Sequence, residues 1–548
     1  MKKTRRCIAL VISLILCLSL FASCAQKQDN SPPPSGNSST PPSSSSPNQS
    51  TSPSPSLTPT PTGEDVRFAE EIEIIIDNST VSIMDPFSAA AAAPPANTWS
   101  FNLIYDRLVY RLGGSDNEPY LATSWDTDDW QTFTFHLRDD VYFHNGEKLK
   151  ASDVVWTIEC ARAGLGSGAN QAWSSVKEVT AVNDNTVKFV LDAVNVDFLF
   201  DLSSPWAGIV NEKAMKDDPV NGVHIGTGAF RLTEFVANNY WVFERNDNYW
   251  SEPAITRKMT MQFVPEMSAR TIMMLNGEAQ VSFRIADEDL QLFIDDPEFN
   301  MLAFVLTNPQ PIVFNMDHPI TGNYNFRMAV ASALDREELA IVAGGDYALP
   351  ADDSGTFWGY DSEFRNTSIP LVPYDLEKAK EYLDASPYNG EELEIVASAA
   401  AFVRAVEPLQ KQLEKIGIKT KINVMDGPTA SAYTAWDNNK MQMALLFHVM
   451  STSAASYRYN VQPGSPGNRG RYNNPELIEL LDRAAAETDR EARKALYMEA
   501  QELVAKDPPF FTLFWRMSSI VTAKGVGGFE LPSDAFYDLR YMYWQLED

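Results

Sequence analysis

One break in composition decides where a core can form in this 548-residue chain. From Gln26 to Gly63 the residues are nearly all Ser, Pro, Thr, Asn and Gln, side chains whose burial cannot offset the entropy lost on ordering them. Everything that builds a core therefore lies beyond that tract. It amounts to roughly 480 residues, more than a single hydrophobic core ordinarily holds, so at least two lobes are expected. The tract itself reads as a tether, extending by about 3.1 Å per residue when drawn out.

The residues ahead of the tether carry an export signal. Lys2, Lys3, Arg5 and Arg6 form a basic start, Ile8 to Phe21 an apolar stretch too short for a comfortable membrane span, and Ala22-Ser23 precede Cys24. This ending resembles a bacterial lipobox, with Phe21 where Leu is usual, and implies removal of residues 1–23 and a lipid on Cys24. Cys7 and Cys17 would leave with the signal, so only Cys160 would remain in the folded part. No internal disulfide is then possible, and Cys160 reads as an inert packed thiol.

A formal net charge of −29 argues against a nucleic-acid or anionic-lipid surface, since those partners need clustered Lys and Arg. Enzyme signatures are missing. "GLGSGA" (Gly164 to Ala169) has dinucleotide-fingerprint spacing but follows a helix rather than a strand, so the phosphate-cradling turn is absent. There is no G-x-S-x-G, P-loop or H-E-x-x-H. His136, His144, His224, His318 and His448 show no metal-ligand spacing. No catalytic residue, metal or cofactor is expected.

Strands and helices interleave after the tether, predicting an α/β or α+β class. "EIEIIID" (Glu71 to Asp77), the alternating "QTFTFHLR" (Gln131 to Arg138) and "VTAVNDNTVKFVL" (Val179 to Leu191, around an Asn-Asp-Asn turn) read as strands. Ser152 and Asp375 are predicted to cap helices. A third helix spaces Val406, Leu409, Leu413 and Ile416 before Gly417. A fourth opens on a Thr488–Glu491 capping box and stops at Pro508.

Longer blocks carry a more specific message. "EPYLATSWDTDDWQTFTFHLRDDVYFHNGEKLKASDVVWTI" (Glu118 to Ile158), "GTGAFRLTEFVANNYWVFERNDNYW" (Gly226 to Trp250), "FNMDHPITGNYNFRMAVASALDREELA" (Phe314 to Ala340) and "YDLEKAKEYL" (Tyr374 to Leu383) stand in collinear order. Together they resemble the family 5 extracellular solute-binding proteins, the oligopeptide- and dipeptide-binding components of ABC importers. The resemblance implies an α/β, two-lobe periplasmic-binding-protein-like fold of the class II type with an extra inserted subdomain. On that pattern residues 24–64 are the lipidated Cys and tether, and 65–100, 222–307 and 515–548 form a discontinuous first lobe. Residues 101–221 are the insertion and 308–514 the second lobe.

The same resemblance implies a non-enzymatic lipoprotein anchored outside the bacterial cell membrane or in the periplasm. It would be a monomer, would capture an oligopeptide or peptide-like solute by lobe closure, and would pass it to permease subunits and their ATPase. A non-peptide ligand (sugar, opine or metal chelate) and a surface peptide-signal receptor are the alternatives. In peptide-binding relatives an acidic residue after a Gly-Trp stretch pairs with the peptide amine. Here the matching segment, "LLFHVMSTSAASY", has His448 near the Trp position and Ser451 near the acid, so that anchor is absent. In "GEAQVSFRIADE", Phe283 and Arg284 are expected to line the cleft, and Arg284 can hold a carboxylate or phosphate bidentately. Trp358, Tyr457 and Trp436 are further candidates, as rings that can stack on a solute or pack in the core.

Overall fold

The computed structural model describes residues 66–76, 85–88, 95–111, 117–164, 173–352, 358–360, 362–398, 400–446, 454–529 and 538–547. The first strand, β1 (Glu71–Ile76), buries Ile72, Ile74, Ile75 and Ile76, as a β-branched run in mid-sheet should. Four strands follow in a separate antiparallel sheet: β2 (Ala122–Asp126), β3 (Thr132–Leu137), β4 (Val176–Asn183) and β5 (Thr186–Leu191), ordered β2-β3-β5-β4. The alternation in β3 sends Phe133, Phe135 and Leu137 inward.

The main sheet gathers β6 (Phe230–Val236), β7 (Tyr240–Arg245), β8 (Lys258–Phe263), β9 (Val281–Phe283), β10 (Phe299–Phe314), β11 (Ala348–Pro350), β12 (Glu392–Ala397), β13 (Lys419–Val424), β14 (Met443–Leu445) and β15 (Phe510–Ala523). With β1 it is an 11-stranded sheet among the described residues, ordered β13-β12-β14-β10-β15-β9-β1-β8-β7-β6, with β11 beside β15. The fold is mixed α/β, as the interleaving of elements predicts.

Two long strands join its halves. β10 is 16 residues and β15 is 14. Phe299 to Val305 pair with Met517 to Ala523, next to β9, whereas Pro309 to Val313 pair with Phe510 to Trp515, and the last of these lie next to β14. Between the two runs the register slips from Val305↔Met517 to Pro309↔Trp515, and again at Gln310/Pro311. Pro309 and Pro311 donate no ladder hydrogen bond, so the interruption follows from their chemistry.

The core is correspondingly divided. One hydrophobic cluster joins residues between Ile72 and Phe283 with Ile520, Leu539 and Met542; two others lie between Ile312 and Phe514. Helices α1 (Pro95–Ile104), α2 (Ala151–Ala163), α3 (Phe198–Leu202), α4 (Met267–Leu275) and α5 (Leu290–Ile294) precede β10. Beyond it come α6 (Arg336–Gly344), α7 (Leu376–Asp384), α8 (Ala400–Glu414), α9 (Pro475–Ala486) and α10 (Arg490–Lys506).

The first two resemblance blocks meet around a buried ionic knot. Asp106 accepts from Thr227 Oγ1 (3.0 Å), Tyr249 Oη (3.1 Å) and Trp250 Nε1 (2.8 Å). Arg540, beside Asp538, lies over the rings of Tyr110 and Tyr120. Arg107 is buried beside them, so two buried acids, Asp106 and Asp538, and two buried arginines, Arg107 and Arg540, fasten the returning C-terminal segment to the front of the molecule. Removing any one would strand its partners in a low dielectric.

Candidate functional site

The segment that follows β9 runs along the junction between the two halves of the sheet. Phe283 is 2 % exposed and stacks on Trp99 of α1, ring centroids 4.2 Å apart. Arg284 is exposed, whereas Ile285 and Ala286 are buried again. The Arg284 N–H donates to Ser519 O of β15 at 3.0 Å, close to where that strand crosses to the second half. Its φ is 62°. For a residue with a Cβ this left-handed conformation costs on the order of 1–3 kcal/mol and persists only where surrounding contacts over-determine it.

Those contacts come from α4. Arg270 is 0 % exposed and donates to the Arg284 carbonyl through Nε (3.0 Å) and Nη2 (2.7 Å). Its Nη1 reaches Val264 O (2.5 Å) and Pro265 O (3.1 Å). Three residues past Arg284, Asp287 meets Arg404 Nη2 of α8 at 3.6 Å, and Arg404 also donates to Ala343 O at the end of α6. Burial raises the Asp287 carboxyl above its usual range, against the pull of Arg516 and Arg404.

On the other side of the crossing, Trp358 and Tyr457 are 0 % and 2 % exposed. Trp358 packs on Phe364, Tyr457 and Tyr497 at 5.2, 5.9 and 4.7 Å. The structure therefore places both residues in the core, with no open ring face. Nearer the crossing strands, Arg365 lies 5.0 Å from the rings of both Tyr360 and Trp515 and pairs with Asp352. Trp436 carries Arg471 at 4.7 Å, and Arg471 Nε pairs with Asp317 at 2.5 Å. Phe283 and Arg284 are thus brought to the junction. His448, Ser451 and Cys24 lie outside the described residues.

A second set of contacts links the two halves away from the crossing strands. Val196 N–H donates to Ala485 O of α9 at 3.2 Å, and Tyr497 Oη of α10 donates to Asp197 Oδ2 at 3.5 Å. Asp201, one turn further in α3, has its carboxyl pushed well up by burial, with the Asp197 charge adding to the effect.

Neither Arg270 nor the Asp287–Arg404 pair is among the residues the resemblance implies. Arg270 has a sequence signal of its own: within "MSARTIMML" it shares the buried face with Thr271 and Met274, and a cation on an apolar helix face needs fixed partners.

The pattern described as Bacterial extracellular solute-binding proteins, family 5 Middle, matches residues 117–469. Heme-binding protein A of Haemophilus influenzae is 25% identical over 485 residues, covering 79% of this chain and 86% of that protein. The dipeptide-binding protein of Escherichia coli is 24% identical over 452 residues, covering 74% and 82%. In three dimensions the chain is similar to the ABC transporter-associated periplasmic binding protein DppA from Helicobacter pylori, solved in complex with peptide STSA. The TM-score is 0.75 at 23% identity, covering 88% of this chain and 99% of that one. That likeness establishes the two-lobe fold. A family match over more than half of the chain makes the wider assignment: this protein belongs to the bacterial extracellular solute-binding proteins of family 5.

Proposed function

We propose that the chain captures a peptide or peptide-like solute between two closing lobes and delivers it to the permease of an ABC importer without chemically altering it. The observation that carries this reading is the pair of crossing strands, β10 and β15, whose ladder breaks between Val305/Met517 and Pro309/Trp515. Two strands with a register slip and two prolines make a natural hinge, since little backbone must move for the halves to rotate. The break supports lobe boundaries at 307/308 and 514/515, with 101–221 inserted in the first lobe.

On this reading Arg284 faces the solute from the first lobe, with the buried Phe283 packed behind it on Trp99, and the 448–451 segment faces it from the second, while Trp358 and Tyr457 stiffen the wall behind. Cys24 carries the lipid, and residues 25–64 let a monomer reorient near its permease at a raised local concentration. A metal chelate is the second reading, favoured by the likeness to a heme-binding protein.

The test is native mass spectrometry of the full chain purified in detergent, followed by calorimetry with the released species. A bound mass that fragments as an amino-acid ladder is expected. A porphyrin or another metal complex instead would displace the peptide reading, and catalytic cleavage of added peptides would overturn the transport role. For the anchor, cells fed an alkyne fatty acid should label the wild type and not Cys24→Ser. Label retained in the variant, or absent from the wild type, removes the lipid from the account.

A further inference from the structure

Four non-glycine residues among those described have positive φ: Trp130, Asn238, Arg284 and Arg471. Two are arginines, and they are held in different ways. The Arg471 side chain pairs with Asp317 and lies over the Trp436 ring, and its N–H donates to Asn468 O. The Arg284 backbone is held at both ends, because Ser519 O takes its N–H and the buried guanidinium of Arg270 forks onto its carbonyl. The residue so held is the single exposed one in the run from Val281 to Ala286.

We propose that Arg270 is a positioning residue. By locking the Arg284 carbonyl it holds the left-handed turn that projects the Arg284 guanidinium at the lobe boundary, where that guanidinium receives an anionic oxygen group of the solute, a carboxylate in the peptide case. The inference rests on the proposed capture of a solute at this boundary and adds the device that aims the anchor.

Three features support it. Without the clamp, the chain after Phe283 would relax into the ordinary extended region and re-aim the side chain at 284. Arg270 also holds Val264 O and Pro265 O, just past the end of β8, so the turn is braced against a second strand rather than against solvent. The aimed segment is bounded on one side by the Phe283–Trp99 stack and on the other by Asp287, which touches Arg404 of the opposite half. A group at 284 therefore lies within a few residues of both lobes. Arginine suits both positions, since its planar fork grips one carbonyl with two N–H groups at 270 and can grip a carboxylate with two at 284.

The role separates from a merely structural one because glycine adopts φ near 60° without strain. Arg284→Gly should keep the wild-type melting temperature or raise it, yet lose about 10- to 100-fold in affinity for an anionic ligand, the range expected for a charge-assisted hydrogen bond. Arg270→Lys keeps the charge but loses the fork. It should show a comparable affinity loss, and the double variant should lose no more than Arg284→Gly alone, because the two act as one unit.

Calorimetry and thermal melts of the full-length wild type and these variants would use three probes: a pool of di- to tetrapeptides with free C-termini, the same pool C-amidated, and citrate. Loss on the free pool with the amidated pool unaffected is the expected result. If the wild type binds citrate and not the peptides, and Arg284→Gly abolishes it, the positioning device stands and the peptide reading falls. Wild-type affinity in Arg284→Gly overturns the proposal whatever the peptide result, as does binding of none of the probes. Should Arg270→Lys fail to fold, Arg284→Gly and an Arg270→Gln variant carry the same comparison.

Discussion

His144 shows at the scale of one residue how far the sequence speaks. Its place in a strand-turn-strand stretch predicts a structural role. In the fold its Nδ1 accepts from Gly226 N–H at 3.4 Å and its Nε2 meets Gly228 O at 3.0 Å, so the second nitrogen carries the proton and the ring is neutral. Burial lowers its pKa from 6.5 to about 4. A group whose folded pKa is depressed takes up its proton first in the unfolded chain, so this histidine costs stability as pH falls from about 6.5, fully so near 4. We expect His144→Asn to melt below the wild type at pH 7.5 and to lose most of that deficit by pH 4.5. The relative swing should be about 3 kcal/mol, at about 1.4 kcal/mol per pKa unit. Parallel melting curves across that range would mean that His144 does not carry the titration. Cys160 follows the same logic, since burial pushes its thiol to about 11 and keeps the unreactive form expected of it.

At the scale of elements, local signals were legible and non-local ones were not. Asp375 caps α7 as expected, accepting from Glu377 and Lys378 N–H. Strands β3, β4 and β5 fall where alternation and the Asn183–Asn185 turn put them. Two caps moved. The helix expected to start on Ser152 starts at Ala151, because Lys150 N–H finds the Asp153 carboxylate at 2.9 Å. The Thr488 box gives way to Asp489, which accepts from Ala492 N–H at 2.8 Å. In each case a carboxylate, rather than the expected hydroxyl, makes the side-chain bond at the helix start. The crossing strands were out of reach, since pairing Phe299–Phe314 with Phe510–Ala523 joins segments about 200 residues apart through a register no local pattern encodes. The site divides in the same way. Phe283 and Arg284 came from a resemblance block, whereas Arg270, Asp287 and Arg404 converge only through tertiary packing.

For the whole molecule, the proposed capture by closing lobes makes the contacts between the two halves the terms that would set how readily it closes. Near the crossing strands the Asp287–Arg404 pair is partly exposed, so it contributes about 0–1 kcal/mol. Away from them, Val196 bonds to Ala485 and Asp197 to Tyr497, between the proposed insertion and the proposed second lobe. If the lobes separate to admit a solute, these contacts break, so their strength belongs to the closed state alone and enters the apparent affinity through the closed fraction. Tyr497→Phe removes only the hydroxyl, because its ring remains packed on Trp358 and Phe364. A 3.5 Å hydrogen bond contributes at most about 1 kcal/mol. Tyr497→Phe should therefore weaken solute binding by up to about fivefold, and Asp287→Asn by a similar or smaller factor. The two pairs lie on different elements, so their effects should add. Small-angle scattering of the unliganded variants should show a larger radius of gyration than the wild type, and saturating solute should restore the compact value. Unchanged scattering with a lowered melting temperature would assign the Asp197–Tyr497 contact to fold stability, leaving closure to the solute itself.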